Sequence, residues 1–224
     1  MSSDFLIPVR KYIECHGVFC WPHVPVLASA ATADVLPFKQ LASDTVKLLG
    51  IKMQIKLNGY GPATVRVVRD RKRQRDEGYR INITPDEIKI SARTDSGAYY
   101  AIQTLRELIT AKGLKLRCCR IEDWPDFGRR GVYLDCSRGK VPKLQTLKQL
   151  VERLARWKIN ELQLYIENVF TFRRHPLIGK GYSPFTPEEI LELQDYCQLH
   201  HVKLVGSMAS FGHTEKILML PGRD

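Results

Sequence analysis

The chain has 224 residues, 44% of them hydrophobic and 26% charged, with a formal net charge of +11. That is room for one large domain or two small ones in an ordinary globular composition, and no apolar run approaches the length of a membrane span. The six cysteines make no disulfide framework, and the opening MSSDFLIPVRKY lacks the features of a secretory signal, so the default expectation is a cytoplasmic, thiol-reduced protein with no membrane partner.

Residues 38–49 have helical spacing, and Gly50 suits a C-terminal cap. Ile51, Met53, Ile55 and Leu57 alternate with polar residues and predict a half-buried strand before an Asn58-Gly59 turn. Thr64 to Val68 predicts another. Much of the positive charge follows, in RVVRDRKRQRDEGYR at 66–80. Asp70, Asp76 and Glu77 break its field and no aromatic residue interleaves the basic run. A solvated connection between strands is therefore expected, not a nucleic-acid site. Tyr79, Ile81 and Ile83, then Ile88 and Ile90, alternate around Thr84-Pro85-Asp86-Glu87 as a hairpin. Residues 96–111 predict a helix with Asp95 as N-cap, and Leu114 to Cys119 a strand. Together these make a compact α+β domain over 1–123.

The turn-rich Asp123-Trp124-Pro125 marks a boundary. Beyond it, over 124–224, strands and helices alternate strictly. Arg130 to Asp135 has the continuous apolar centre of a buried parallel strand. Leu144, Leu147, Leu150, Val151, Leu154 and Trp157 line one face of a helix. Leu162 to Ile166 is a second strand. Thr186, Pro187 and Glu189 open a second helix with a capping box. Val202 to Gly206 is a third strand. Cys15, His16, Cys20 and His23 invite a zinc reading, but their spacing is irregular and Pro22 and Pro25 crowd it, so no metal is expected. Cys118 and Cys119 lie in a strand and face opposite ways. No phosphate loop or dinucleotide fingerprint is present, and no cofactor is expected.

Three segments carry a resemblance: DSGAYYAIQTLRELI at 95–109, Arg130-Gly131 leading into VYLDCSRGKVPKLQTLKQLV, and SFGHTEKI at 210–217. In this order and spacing the chain resembles the family 20 glycoside hydrolases, the β-N-acetylhexosaminidases. The resemblance implies an α+β leading domain followed by a truncated (β/α)₈ TIM barrel comprising its first three βα units. It implies a carbohydrate partner, glycosides of terminal β-linked GlcNAc or GalNAc. In that family the substrate's 2-acetamido oxygen attacks the anomeric carbon, and an Asp-Glu pair after the fourth strand assists. The Asp-Glu pairs present, Asp76-Glu77 and Asp86-Glu87, lie in the leading domain. No catalytic residue is therefore expected in this span, nor turnover by it.

By the resemblance Arg130 matches an arginine that hydrogen-bonds sugar hydroxyls; the alternative is a local ion pair with Asp135. His213 matches a histidine that supports the acid through an acidic partner. Many members have paired aspartates there, whereas this chain has Glu167-Asn168, and either could replace the partner; a solvated strand-end Glu167 is the alternative. Tyr165 and Phe170 are expected to pack in the core. The unpaired third strand would leave an edge open to self-association. The rival to a hydrolase fragment is a non-catalytic carbohydrate-binding or interaction module of the same descent.

Overall fold

The computed structural model describes residues 5, 7–57, 61–70 and 75–220. The Asn58-Gly59 turn and Arg71, Lys72 and Arg73 of the basic stretch lie outside them. Two compact units separate at Gly128/Arg129, a few residues beyond the expected boundary.

Unit 1 is built on seven strands: β1 Lys11–Cys20, β2 Val26–Ser29, β3 Gln54–Lys56, β4 Val65–Arg69, β5 Tyr79–Ile83, β6 Ile88–Ala92 and β7 Lys115–Asp123. Their spatial order is β1-β7-β5-β6-β4-β2-β3. The β5–β6 hairpin sets Ile81 opposite Ile90, and both are fully buried. Alternation puts Val65, Val67, Tyr79, Ile83, Ile88 and Ile121 in the core as well. Helix α1 (Val35–Leu49) ends at Gly50, whose left-handed φ of 70° fits the expected cap. Helix α2 (Asp95–Lys112) rests on β5, β6 and β7, and α1 packs on α2.

The N-cap of α2 is Thr94, not Asp95: its side chain accepts a hydrogen bond from the Gly97 N–H at 3.1 Å. Asp95 instead sits in the first turn, where it meets Arg69 at 2.7 Å. Arg69 also reaches the buried Asp34 at 2.8 Å, so one guanidinium ties β4 to the starts of both helices. Gly97 is required because a Cβ there would fall 2.7 Å from the Gly78 carbonyl oxygen.

Three expectations for this unit change. Strands β1 and β2 were not anticipated. The Ile51–Leu57 strand shrinks to Gln54–Lys56, pairing only with β2 at the sheet edge. The strand begun near Leu114 runs on to Asp123, because β7 is flanked by β1 and β5.

Unit 2 holds a parallel sheet in the order β10-β9-β8, made of β8 Gly131–Asp135, β9 Glu161–Tyr165 and β10 Lys203–Ser207. Each strand precedes a helix: α3 Leu144–Arg156, α4 Pro187–Leu199 and α5 Glu215–Leu218. The capping box on α4 forms as expected. Thr186 Oγ1 accepts from the Glu189 N–H at 3.1 Å, and Glu189 Oε2 accepts from the Thr186 N–H at 2.9 Å. Leu162 and Leu164 are buried, as are Leu147, Val151 and Leu154 of α3 and Leu193 and Cys197 of α4. Trp157, expected on that helix face, caps the C-terminus of α3 and is exposed, because the helix ends one residue earlier. Strand β8 is not buried on both faces as its apolar run suggested. Its residues alternate between half-buried and exposed, and Tyr133 is 56% exposed.

Candidate functional site at the strand ends

In a parallel sheet, loops leaving the C-terminal ends of neighbouring strands come together. Cys136, just past β8, donates its N–H to the Tyr165 carbonyl at 3.0 Å, and Ile166, just past β9, donates to Ser207 at 2.8 Å. The three strand ends are thus level. The chain turns after β8 because Asp135 Oδ1 accepts from the Ser137 N–H at 2.8 Å. Ser137 Oγ in turn accepts from the Glu167 N–H at 2.8 Å and joins the β8 turn to the β9 end.

Around that junction the side chains converge. Arg138 pairs with Asp135 and lies 3.3 Å from Glu167 Oε1. Its guanidinium sits 5.6 Å from the centre of the Tyr165 ring. The Tyr165 hydroxyl donates to Glu167 Oε1 at 3.2 Å, and the ring stacks on Tyr133 at 5.8 Å. The Ser137 amide and then Arg138 hold the Asp135 carboxyl below its ordinary value. Burial, then Glu167, raises the Tyr165 phenol. Glu167 and Asn168 are both buried, at 7% and 1% exposure, and Asn168 Oδ1 has no hydrogen-bond partner among the described residues.

The structure brings Glu167 and Asn168 together but not the other two candidates. Arg130 lies at the opposite, N-terminal end of β8. Its Nε donates to the Lys158 carbonyl at 2.7 Å, and its N–H donates to Asn160 Oδ1 at 2.9 Å. The alternative Arg130–Asp135 pair does not form either: Asp135 takes Arg138 from the same turn. His213 lies past β10 in a left-handed conformation (φ 58°), exposed, with no hydrogen bond to Glu167 or Asn168. Tyr165 is buried, while Phe170 is half-buried against Phe172 and bridges to Phe185. A further residue at this junction, not singled out from the sequence, is Arg138. The available signal was its place after the strand, where Arg130 stands before it.

Of the basic stretch, Arg69 and Arg80 pair with carboxylates, and Arg75 lies 5.5 Å from the Trp124 ring. No group of three or more His, Cys, Asp or Glu side chains among the described residues is arranged to hold a metal.

A family model described as glycosyl hydrolase family 20, domain 2, matches residues 17–124. Residues 17–124 thus match a glycosyl hydrolase family 20 domain. Beta-hexosaminidase B of Pseudoalteromonas piscicida is 22% identical to this chain over 179 residues, 66% of this chain and 23% of the relative. Beta-N-acetylhexosaminidase of Cellulomonas fimi is 31% identical over 103 residues, 45% of this chain and 21% of the relative. The chain therefore spans roughly a quarter or less of these two proteins. The fold is shared with the GH20 β-N-acetylhexosaminidase of Streptomyces coelicolor A3(2), at a TM-score of 0.83 and 21% identity over 93% of this chain and 46% of that one. It is also shared with a Vibrio harveyi GH20 exo-β-N-acetylglucosaminidase solved in complex with N-acetylglucosamine, at a TM-score of 0.77 and 17% identity over 91% of this chain and 35% of that one.

Proposed function

We propose that unit 2 is the opening of a (β/α)₈ barrel and contributes part of a site for terminal β-linked GlcNAc or GalNAc. The convergence of Asp135, Arg138, Tyr165 and Glu167 at the C-terminal strand ends carries this reading. Barrel enzymes place their chemistry at that face. A guanidinium steadied by two carboxylates and an aromatic ring presents its remaining donors in a fixed fork, suited to neighbouring sugar hydroxyls. Arg138, not Arg130, takes that role here. The buried acceptor of Asn168 suits an incoming N–H donor.

The reaction of the parent site is substrate-assisted, retaining hydrolysis, in which an acid pair orients the acetamide and protonates the leaving oxygen. Asp76-Glu77 and Asp86-Glu87 belong to unit 1. These 224 residues on their own are therefore expected to bind the sugar without turning it over. The test pairs two measurements on purified protein: saturation-transfer NMR with N-acetylglucosamine, and nitrophenol release from its β-glycoside. Binding lost in Arg138→Ala but kept in Arg130→Ala, with release at background, supports the reading. Binding indifferent to Arg138, or genuine turnover, overturns it.

A second reading, a non-catalytic carbohydrate-binding or interaction module, is favoured by one observation. Tyr133 presents an exposed aromatic ring on the uncovered sheet face. Self-association along the outer edges of β8 or β10 belongs to this reading. A concentration-dependent mass in sedimentation that falls on Tyr133→Asp supports it.

A further inference from the structure

Strand β1 is the edge of the unit 1 sheet, held by β7 alone. The ladder runs from Lys11 opposite Glu122 to Glu14 opposite Cys119, then resumes with Val18 opposite Arg117. Cys15, His16 and Gly17 thus face the single residue Cys118, a bulge of three residues against one. Cys15 follows Glu14, the last residue of the first register, and Cys118 precedes Glu14's partner Cys119, so the two cysteines flank the same break in the ladder.

Burial divides the roles of the two thiols. Cys15 is exposed and Cys118 is buried, both in the free form. Cys118 Sγ lies against the bulge: a Cβ on Gly17 would stand 3.2 Å from it, with Pro85 on another side. Cys119 is adjacent in sequence, but neighbouring strand residues face opposite sides, and its thiol bonds to Tyr12 on the other face.

We propose that Cys15 and Cys118 form a modification site, in which a hydroperoxide oxidises exposed Cys15 and buried Cys118 resolves it as a cross-strand disulfide. The Cys15 thiolate attacks the distal peroxide oxygen and the O–O bond breaks. An alcohol (water, from hydrogen peroxide) leaves, and Cys15 becomes a sulfenic acid. Cys118 then gives up its proton as its sulfur attacks Cys15 sulfur, the S–O bond breaks, and water departs. Two thiols lose two electrons in total, and the peroxide gains them. The new bond clips the edge strand to β7 where the ladder is interrupted, and a thiol reductant reverses it.

The test treats the full chain with hydrogen peroxide, alkylates the remaining thiols and digests without reductant. The expected product is a Cys15–Cys118 linked peptide that dithiothreitol releases. It should persist in Cys20→Ser, which removes the other exposed thiol of β1, and vanish in Cys15→Ser. Amide exchange within 11–14 and 18–20 should slow several-fold on oxidation of the wild type and not of Cys15→Ser. The Cys15→Ser variant carries the test because its site is exposed, whereas a change at buried Cys118 can disturb folding. Linkage of Cys15 to Cys119 or Cys20, a link between two chains, or Cys15 ending as sulfinic acid beside an intact Cys118 thiol overturns the proposal.

Discussion

In unit 1 the sheet face made by Val65, Ile81, Ile90 and Ile121 is fully buried with α2 resting on it. In unit 2 the face carrying Tyr133, Gln163 and Val205 meets solvent or lies only partly covered. Both sheets are rich in apolar strand residues, so strand composition does not separate them. What separates them is how many faces find a cover. Apolar area stabilises only when it leaves water, at roughly 25 cal/mol per Å². A continuous apolar run such as Val132-Tyr133-Leu134 therefore reports what a strand can bury, and the available layers decide what it does bury.

The largest effect that could break this contrast is a core deletion. Tyr99→Ala in α2 removes a fully buried ring and should cost about 3–5 kcal/mol. Tyr133→Ala should cost under about 1.5 kcal/mol, mostly its stacking on Tyr165. Because two units need not unfold together, segment-resolved hydrogen exchange is the measurement. Protection should be strong across 79–123 and weaker across 131–207 in dilute protein, and each substitution should act only in its own unit. Equal protection of both regions, or equal losses, would erase the distinction.

A smaller effect sharpens it through pH. Burial, then the Asp123 charge, pushes the Tyr79 phenol well above its ordinary 10.0. The folded state thus keeps its proton where the unfolded chain loses it. The stabilisation is complete below pH 10 and is lost as pH rises from there toward the folded value. In unit 2, the Arg129 hydrogen bond and charge hold Glu161 below its ordinary 4.5. That contribution is present above 4.5 and disappears as pH falls through the folded value. Alkali should therefore loosen the surroundings of Tyr79, and acid those of Glu161, in exchange experiments. Tyr79→Phe should flatten the alkaline slope, and Glu161→Gln the acidic one.

The smallest expected effect compares helix starts. Thr186→Ala breaks the capping box of α4 and should cost about 1 kcal/mol, seen as faster exchange at its first turn. Thr94→Ala removes a single bond at α2 and should cost less, a few tenths to about 1 kcal/mol. A larger loss at Thr94 would mean that the close contact of Gly97 with Gly78 depends on that cap.

Local chemistry was the most legible part of the sequence. Gly50, the Thr186-Pro187-Glu189 start and the Ile81/Ile90 hairpin act through residues a few positions away, and each forms as its spacing implies. Strand β1 was illegible because its bulge at Cys15–Gly17 breaks the alternation and because Ile13 and Val18 are exposed. Strand β2 is only four residues long, between Pro25 and the turn to α1, too short for a period to register. The candidate site was legible in part. Glu167 and Asn168 were singled out by the resemblance as the residues after the second strand, and Glu167 meets the β8 turn there. Arg130 was singled out as the arginine of a motif and stands at the N-terminal end of β8. Arg138, eight positions later, is carried by the turn that Asp135 and Ser137 fold.

The pairing of β1 with β7 also sets a timetable. Arg10 Nε donates to the Trp124 carbonyl at 2.8 Å, a contact between residues 114 positions apart. During synthesis the first strand emerges with no neighbour and must wait for the last strand of its unit, several seconds later at about 5–20 residues per second. Until then β7's seat is empty and β5 offers a bare edge of its own. The first strand of the unit is thus the last to be secured, and the moment of greatest exposure for the nascent unit falls just before Lys115–Asp123 arrives.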